Sequence, residues 1–481
     1  MDSTQDRPYR SRPPFSARVR DIAEGIVSGC RAWGASRYRE LLVQYYKFLI
    51  PEGSRVLEIG SRSGDLLAAL KPSYGVGLEY DEELTNIARL KHPQRNLVFV
   101  TCDFEEFGLG AQLFDYIILS DTVSRLRDIL KTFEALKPYC HFRTRIILNF
   151  YSRLWQPILA LLELLRLKAP QMICNWVTRE DIKNLLQLGG FESVSSEERI
   201  LLPVSIPVLS QIANKLLAPF APFRWFCLTN WVVARLPMSL PKEFGVSIVC
   251  PCRNEAGNIR SIVERIPDFD CPWELIFVEG HSTDKTLEQC HKMKEEFTHE
   301  DISVFQQVGK GKGDAVRLGF ANAKYEVLVI LDADMTVPPE ELPGFVSTLK
   351  KGRAEFINGS RLVYPMEEKA MRFLNLIGNK FFSIAFTFLL GQPIKDTLCG
   401  TKVLWKKDYE RLSAQRSHFG EFDPFGDFDL LFGASKLSLK IMDFPIRYQA
   451  RSYGTTQISR FTHGLLLFRM CGVALIKLKL R

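Results

Sequence analysis

Twice along this chain, short runs of β-branched and apolar residues alternate with helix-length stretches, and a segment without apolar period separates the two series. The first series reads VLEI, GVGLEY, LVFVTCD, FDYIILSD and RIILNF between residues 56 and 150. Strands that are apolar throughout must be covered on both faces, so the alternation predicts a parallel sheet flanked by helices. Residues 16 to 49 read as two helices, broken from the first strand by Pro51-Glu52-Gly53. Helical material follows residue 150, and WVTREDIKNLLQLGGFESV then gives a helix, a glycine stop and a strand. LPMSLPKEFG, 236 to 245, holds two prolines and reads as a linker, and a second α/β series starts at Val246. A chain of 481 residues is too long for one ordinary core. The expected architecture is therefore α/β with two Rossmann-like domains. A basic segment with helices spans 1–49, a first domain 50–235, a second domain 246–460, and a basic amphipathic helix 461–481.

Composition excludes several classes. A net charge of +8 over this length favours anionic partners such as phosphates, but it is no nucleic-acid footprint. Eleven dispersed cysteines without a CxxC pair read as reduced core residues of a cytosolic protein. MDSTQDRPYRSRPP lacks a secretory pattern, and no uncharged stretch reaches the ~18–20 apolar residues of a spanning helix. The expected location is cytoplasmic.

In the first series, VLEIGSRSG at 56 to 64 sets an acid and two glycines directly after a strand. Gly60 and Gly64 permit a tight turn and close approach of a ligand to the next helix. Glu79 ends the second strand, where a carboxylate can accept both hydroxyls of a ribose. Asp103 closes the third, where an acid could accept an adenine amino hydrogen, and FDYIILSD supplies a polar pocket floor. No lysine near Gly60 could grip a triphosphate. This order resembles class I S-adenosylmethionine-dependent methyltransferases over about residues 50 to 200. The resemblance implies that Glu58, Gly60 and Gly64 border the methionine end of S-adenosylmethionine, Glu79 its ribose and Asp103 its adenine. Arg62 stands where the family has its middle glycine.

In the second series, EVLVILDAD at 326 to 334 ends a buried strand in Asp332 and Asp334, which project to one side of an extended backbone. Such a pair can hold a divalent cation against a diphosphate. Pro251, Asn254 and Glu255 sit where VSIV gives way to a helix, and ELIFVEGHSTD places Glu279 at the next strand end. His281 reads as a turn residue. GKGKGDAVRLGF is glycine-rich and cationic before it turns helical, so Lys310 and Lys312 could meet an anionic donor.

This run resembles inverting family 2 glycosyltransferases of the GT-A fold, most closely the polyprenyl-phosphate mannose and glucose synthases, over about 245 to 460. NGSR (358–361), DTLCGTKV (396–403), FGDFDLL (425–431) and RSYGTTQ (451–457) match in order. By resemblance, Pro251, Glu255 and Glu279 contact base and ribose, and Asp332 and Asp334 hold Mg²⁺ or Mn²⁺. Lys310, Arg361, Asp396 and Arg451 join the nucleotide-sugar site, with both arginines at phosphates. Asp427 or Asp429 orients the acceptor or finishes the metal shell. Two positions depart from the family: Glu279-Gly280-His281 replaces Asp-Asp-Gly, and Thr456-Gln457 replaces Ser-Lys, where Arg460 could substitute.

The implied partners are a nucleotide-diphosphate sugar and a glycan or polyprenyl-phosphate acceptor, with no nucleic acid. Residues 370–391 and the acid-free C-terminus suit either helices lying peripherally on the inner face of a membrane or helices docked on the core. The functional expectation is metal-dependent sugar transfer combined with methyl transfer. The alternative is sugar transfer alone, with the first half an inactive binding module or scaffold.

Overall fold

The computed structural model describes residues 31–164, 175–204, 206, 208–237, 243–364, 373–415, 426–451, 453 and 460–480. Each α/β series forms its own seven-stranded sheet. The first contains β1 (Arg55–Ile59), β2 (Tyr74–Glu79), β3 (Leu97–Thr101), β4 (Phe114–Ser120), β5 (Cys140–Tyr151), β6 (Glu192–Arg199) and β7 (Thr229–Arg235), in the order β3-β2-β1-β4-β5-β7-β6. The first five strands pair in parallel, and β7 runs antiparallel to both its neighbours. Strand order reverses between β1 and β4, so a crevice opens at their carboxyl ends. The apolar run of β1 is buried from Val56 to Ile59, as a strand covered on both faces requires.

The second sheet contains β8 (Val246–Cys252), β9 (Trp273–Glu279), β10 (Ile302–Gln306), β11 (Val327–Ile330), β12 (Phe356–Ser360), β13 (Lys402–Trp405) and β14 (Ile441–Pro445). Their order is β10-β9-β8-β11-β13-β12-β14, with β13 antiparallel to β11 and β12. Its switch point lies between β8 and β11. That places the turn after β8 beside the Asp-Ala-Asp that follows β11.

Local chemistry fixes the helix ends. Asp81 caps Glu82–Lys91 by accepting from the Glu83 and Leu84 amides. Thr178 and Asp181 form a reciprocal capping box on Arg179–Leu188, and Gly189-Gly190 ends that helix before β6. A single helix, Arg31–Leu49, packs Tyr45 and Tyr46 on Trp231 of β7, and residues 16–30 lie outside the described residues. Within the 236–245 segment the same holds for 238–242.

Buried charge joins the two lobes. Arg145 on β5 reaches both carboxylate oxygens of Glu355 through one nitrogen at 2.6 Å, and each side chain is 1% exposed. Arg235 of β7 lies 3.5 Å from the same carboxylate, and the Lys440 amide donates to it at 2.9 Å. Burial alone would raise the Glu355 carboxyl, but the two guanidiniums hold it below its ordinary range. Arg143 pairs with the fully buried Asp408 at 2.8 Å, and Arg199 donates to the Lys479 carbonyl. Among the described residues all cysteines are free, including Cys252 and Cys290, whose sulfurs are 3.8 Å apart. No described helix is long and apolar enough to cross a membrane.

Candidate functional site

The N-terminal crevice is built on the turn after β1. Gly60 (φ +78°) and Gly64 (φ +75°) adopt left-handed backbone, and Arg62 between them does so at φ +50°. A Cβ on Gly60 would lie 2.6 Å from Thr122 Oγ1, and one on Gly64 would lie 2.6 Å from the Phe99 ring. The glycines are therefore required by this chain's own packing as well as by backbone conformation. Glu79 accepts from the Arg62 amide at 2.7 Å and from the Tyr80 amide at 2.9 Å, tying β2 to the turn. Asp103 accepts from the Glu105 amide and is ion-paired with Arg127, which is 63% exposed.

Glu58 is buried at this turn. Burial, reinforced by the charge of Glu79, pushes its carboxyl up to about 8. Among the described residues, Glu58 Oε2 and Ser61 Oγ find no hydrogen-bond partner. Asp121, after β4, accepts from Tyr38 Oη at 2.9 Å and Asn149 Nδ2 at 2.6 Å, and Tyr46 Oη donates to Asn149 at 2.7 Å. Burial raises the Asp121 carboxyl to about 6, against the hydrogen bond from Tyr38. Tyr38 and Tyr46 carry no motif that foretells this, because they arrive on a helix before the first strand. The crevice is rich in acids, with orphaned polar atoms at the turn, and that chemistry fits a cationic, hydroxyl-bearing cofactor such as S-adenosylmethionine.

The C-terminal crevice gathers charges from six segments. Asp332 Oδ1 meets Lys312 Nζ at 2.6 Å, and the same ammonium lies 3.8 Å from Asp427. Lys402, fully buried on β13, lies 3.3 Å from the other Asp427 oxygen and donates to the Cys399 carbonyl at 2.5 Å. Burial disfavours the Lys312 charge, but Asp332 and Asp427 outweigh it and raise the ammonium's pKa. Asp334 meets Arg451 at 2.7 Å, and Arg451 also reaches Glu255 at 3.0 Å. Burial pushes Glu255 up to about 7 even though Arg451 opposes it.

Two glycine contacts hold this cluster together. A Cβ on Gly400 would fall 1.9 Å from Asp332 Oδ2, and one on Gly426 would fall 2.7 Å from the Gly313 Cα. The second contact sets the start of helix Lys312–Asn322 against the start of helix Asp427–Lys436. Lys312 and Asp427 thereby face each other from two helix N-termini. Asp429, two residues on, is also buried.

Other expected residues fall at varied distances from this cluster. Glu279 is 1% exposed and accepts from the Ser282 amide at 2.5 Å and from Gln306 at 3.0 Å. Burial would raise its carboxyl, but these donors hold it below its ordinary range. Pro251 lies in β8, and His281 takes the left-handed turn conformation (φ +56°) while contacting the Gly309 carbonyl. Lys310 is exposed, and it is Lys312 that reaches the acids. Arg361, expected at a phosphate, meets Asp396 by contacts of 2.6 and 2.8 Å, and Asp396 is fully buried. Thr456, Gln457 and Phe425 lie outside the described residues.

The described residues hold no cluster of three or more metal-ligating side chains. Asp332 and Asp334 do offer hard oxygen donors that suit Mg²⁺ or Mn²⁺ once diphosphate oxygens complete the shell. Such an ion would compete with Lys312 and Arg451 for the same carboxylates. Lys402 and Gly400 were missed from sequence because TKVLW reads as an ordinary strand.

Comparison with known proteins agrees with this division. Residues 247–413 match the profile described as Glycosyl transferase family 2, and residues 33–196 match one described as Methyltransferase domain. The chain is 26% identical over 220 residues to a dolichol-phosphate mannosyltransferase of Pyrococcus furiosus, covering 44% of this chain and 59% of that protein. It thus spans about three-fifths of that relative. It is 26% identical over 231 residues to glycosyltransferase AglJ of Haloferax volcanii, covering 48% of this chain and 71% of that one. With an undecaprenyl-phosphate 4-deoxy-4-formamido-L-arabinose transferase of Pectobacterium carotovorum it shares 32% identity over 111 residues, 22% of this chain and 34% of that one. Among solved structures, an S-adenosylmethionine-dependent methyltransferase from Mesorhizobium loti aligns at 16% identity and TM-score 0.32, covering 41% of this chain and 97% of that one.

Proposed function

We propose, for a chain that carries both a family 2 glycosyltransferase domain and a class I methyltransferase domain, that the C-terminal lobe transfers a sugar from a nucleotide-diphosphate donor to a lipid-linked or glycan acceptor. One observation carries this: Glu255, Asp332, Asp334 and Asp427 converge on the cations Lys312 and Arg451 at one strand-end crevice. An arriving diphosphate can draw those two cations onto itself, which frees the acids. A bound Mg²⁺ or Mn²⁺ would be held by Asp332 and Asp334 and would supply Lewis-acid stabilisation of the leaving diphosphate.

The chain's own groups account for the rest of the transfer. The acceptor oxygen attacks the anomeric carbon while the bond from that carbon to the diphosphate oxygen breaks. Lys312 and Arg451 stabilise the negative charge that accumulates on the departing nucleoside diphosphate. Where the acceptor is a hydroxyl, its proton passes to a carboxylate, and Asp427 is the candidate. Lys402 lies 3.3 Å from that carboxylate as its buried counter-charge. A phosphate acceptor needs no base. The relatives' names, which include dolichol-phosphate and undecaprenyl-phosphate transferases, support a lipid-phosphate acceptor for this chain as well.

In the N-terminal lobe, we infer binding of S-adenosylmethionine with Glu79 at the ribose and Asp103 at the adenine once Arg127 withdraws. The orphaned Glu58 oxygen and Ser61 hydroxyl are what favour a ligand there. Nucleoside-diphosphate release from UDP-, GDP- and dTDP-sugars with a polyprenyl phosphate tests the first reading. Calorimetric titration with S-adenosylmethionine tests the second, and absence of heat leaves the lobe a scaffold.

A further inference from the structure

Large apolar side chains are exposed far more densely along one run of segments than elsewhere in the molecule. In the N-terminal lobe the segment 204–226 exposes Leu216, Phe220, Phe223, Trp225 and Phe226, the last two at 57% each. Helix Gln156–Leu164 exposes Ile158, Leu161 and Leu164. In the C-terminal lobe, helix Phe373–Leu390 exposes Phe381 and Ile384, and helix Arg460–Ala474 exposes Leu465 and Phe468.

These segments touch in sequence across the lobe boundary. Trp155 Nε1 donates to the Phe226 carbonyl at 2.9 Å, Phe220 stacks on Phe388 at 5.6 Å, and Phe381 meets Phe468 at 5.6 Å. The result is one apolar face shared by both lobes.

The charge on this face is mostly of one sign. Residues 204–226, 378–390 and 465–480 contain no Asp or Glu, while Lys215, Lys380, Arg469 and Lys477 are exposed on them. Helix Gln156–Leu164 adds Arg153 just before it and one acid, Glu163. A second copy of this chain seated on the same face would set these cations against each other, which disfavours self-association. Aliphatic side chains between the cations also make a poor seat for nucleic-acid phosphates. Aromatic and aliphatic side chains rimmed by lysine and arginine, on helices too short to span, are suited to the headgroup boundary of an anionic bilayer.

We propose that both lobes dock on an anionic lipid surface through this continuous face, with the methyltransferase-like lobe contributing its aromatic segment 204–226. The bilayer then holds the two crevices in fixed relation to one lipid-borne acceptor, a consequence that rests on the sugar-transfer reading above. Docking itself does not.

Full-length protein is floated with vesicles of phosphatidylcholine containing about a third phosphatidylglycerol, and with pure phosphatidylcholine. The wild type is expected to co-float with the anionic vesicles, less so at high salt. The triple variant Phe223→Ser, Trp225→Ser, Phe226→Ser is expected to lose roughly tenfold or more in partitioning, and Phe381→Ser with Phe468→Ser a comparable amount. Lys215→Glu, an exposed single change, gives a smaller loss and covers the case in which the triple variant misfolds. Wild-type flotation with the triple variant and Lys215→Glu both unaffected overturns the contribution of the N-terminal lobe. Failure of the wild type to float, or a dimer in light scattering that the triple variant abolishes, overturns docking altogether. Nucleoside-diphosphate release with a water-soluble short-chain polyprenyl phosphate, measured without vesicles, reports on sugar transfer separately, and the triple variant is expected to leave it unchanged.

Discussion

The two crevices sit at equivalent switch points of similar sheets, yet they satisfy their acids in opposite ways. In the C-terminal crevice, Asp332, Asp334, Asp427 and Glu255 are paired with cations borne by distant segments. Those cations are what an anionic donor would use, so the pairs are exchangeable. In the N-terminal crevice, Glu79 is satisfied by nearby backbone amides, and the glycine positions are filled by Thr122 and Phe99. Arg127 on Asp103 resembles the arrangement of the other crevice. A site for a polyanion carries cations in reserve, whereas a site for a cationic cofactor keeps acids fixed and buried.

That contrast can be broken most strongly by Asp332→Asn. It should lower sugar transfer about a thousandfold, or about 4 kcal/mol of transition-state stabilisation, with S-adenosylmethionine affinity unchanged by calorimetry. A parallel loss of both would mean that the crevices are not separate sites.

Next in size is the joint between the lobes. Glu355→Gln leaves Arg145 and Arg235 buried without their counter-charge, and a cost of about 3–5 kcal/mol is expected. Thermal melting should fall and separate into two transitions as the lobes lose their shared contact. A single unshifted transition would show that the lobes are held by other means.

Smaller still is Glu79→Ala, which removes both the turn tie and the ribose acceptor. S-adenosylmethionine affinity should drop roughly tenfold to a hundredfold with sugar transfer intact, in keeping with ~1.5–3 kcal/mol for hydrogen bonds to a charged group. An unchanged affinity would place the cofactor elsewhere or nowhere.

The effect confined to one pH range concerns Glu58. Its folded-state pKa lies near 8 against an ordinary 4.5. The folded protein therefore binds that proton more tightly, and the stability it contributes is full below pH 4.5 and lost as pH rises through 8. Glu58→Gln should leave melting unchanged near pH 4.5 and raise it above pH 8, the shift corresponding to several kcal/mol at about 1.4 kcal/mol per pKa unit. A difference that grows towards acid pH would contradict the burial argument.

Much of this was legible in the sequence because it depends on short-range pattern. Apolar runs such as VLVI mark strands buried on both faces, and an acid at the end of such a run must lie at the strand's carboxyl end, where the crevice opens. That logic located Asp332, Asp334, Glu255 and Glu79. It could not foresee that Arg361 pairs with Asp396, because the partner lies 35 positions away. Nor could it find Lys402, which occupies a strand position that normally carries an apolar residue. The tie between Arg145 and Glu355 spans 210 positions, and only the packed lobes bring the two together. Tyr38 gained its place against Asp121 in the same way, from an 83-residue separation.

The most direct test is release of nucleoside diphosphate from a panel of nucleotide-diphosphate sugars, with Mn²⁺ and a short-chain polyprenyl phosphate, comparing the wild type with Asp334→Ala. Turnover of at least one donor by the wild type, lost in the variant, is the predicted result. Turnover that survives Asp334→Ala, or no turnover of any donor by the wild type, would contradict a sugar-transfer site built around the two aspartates beyond β11.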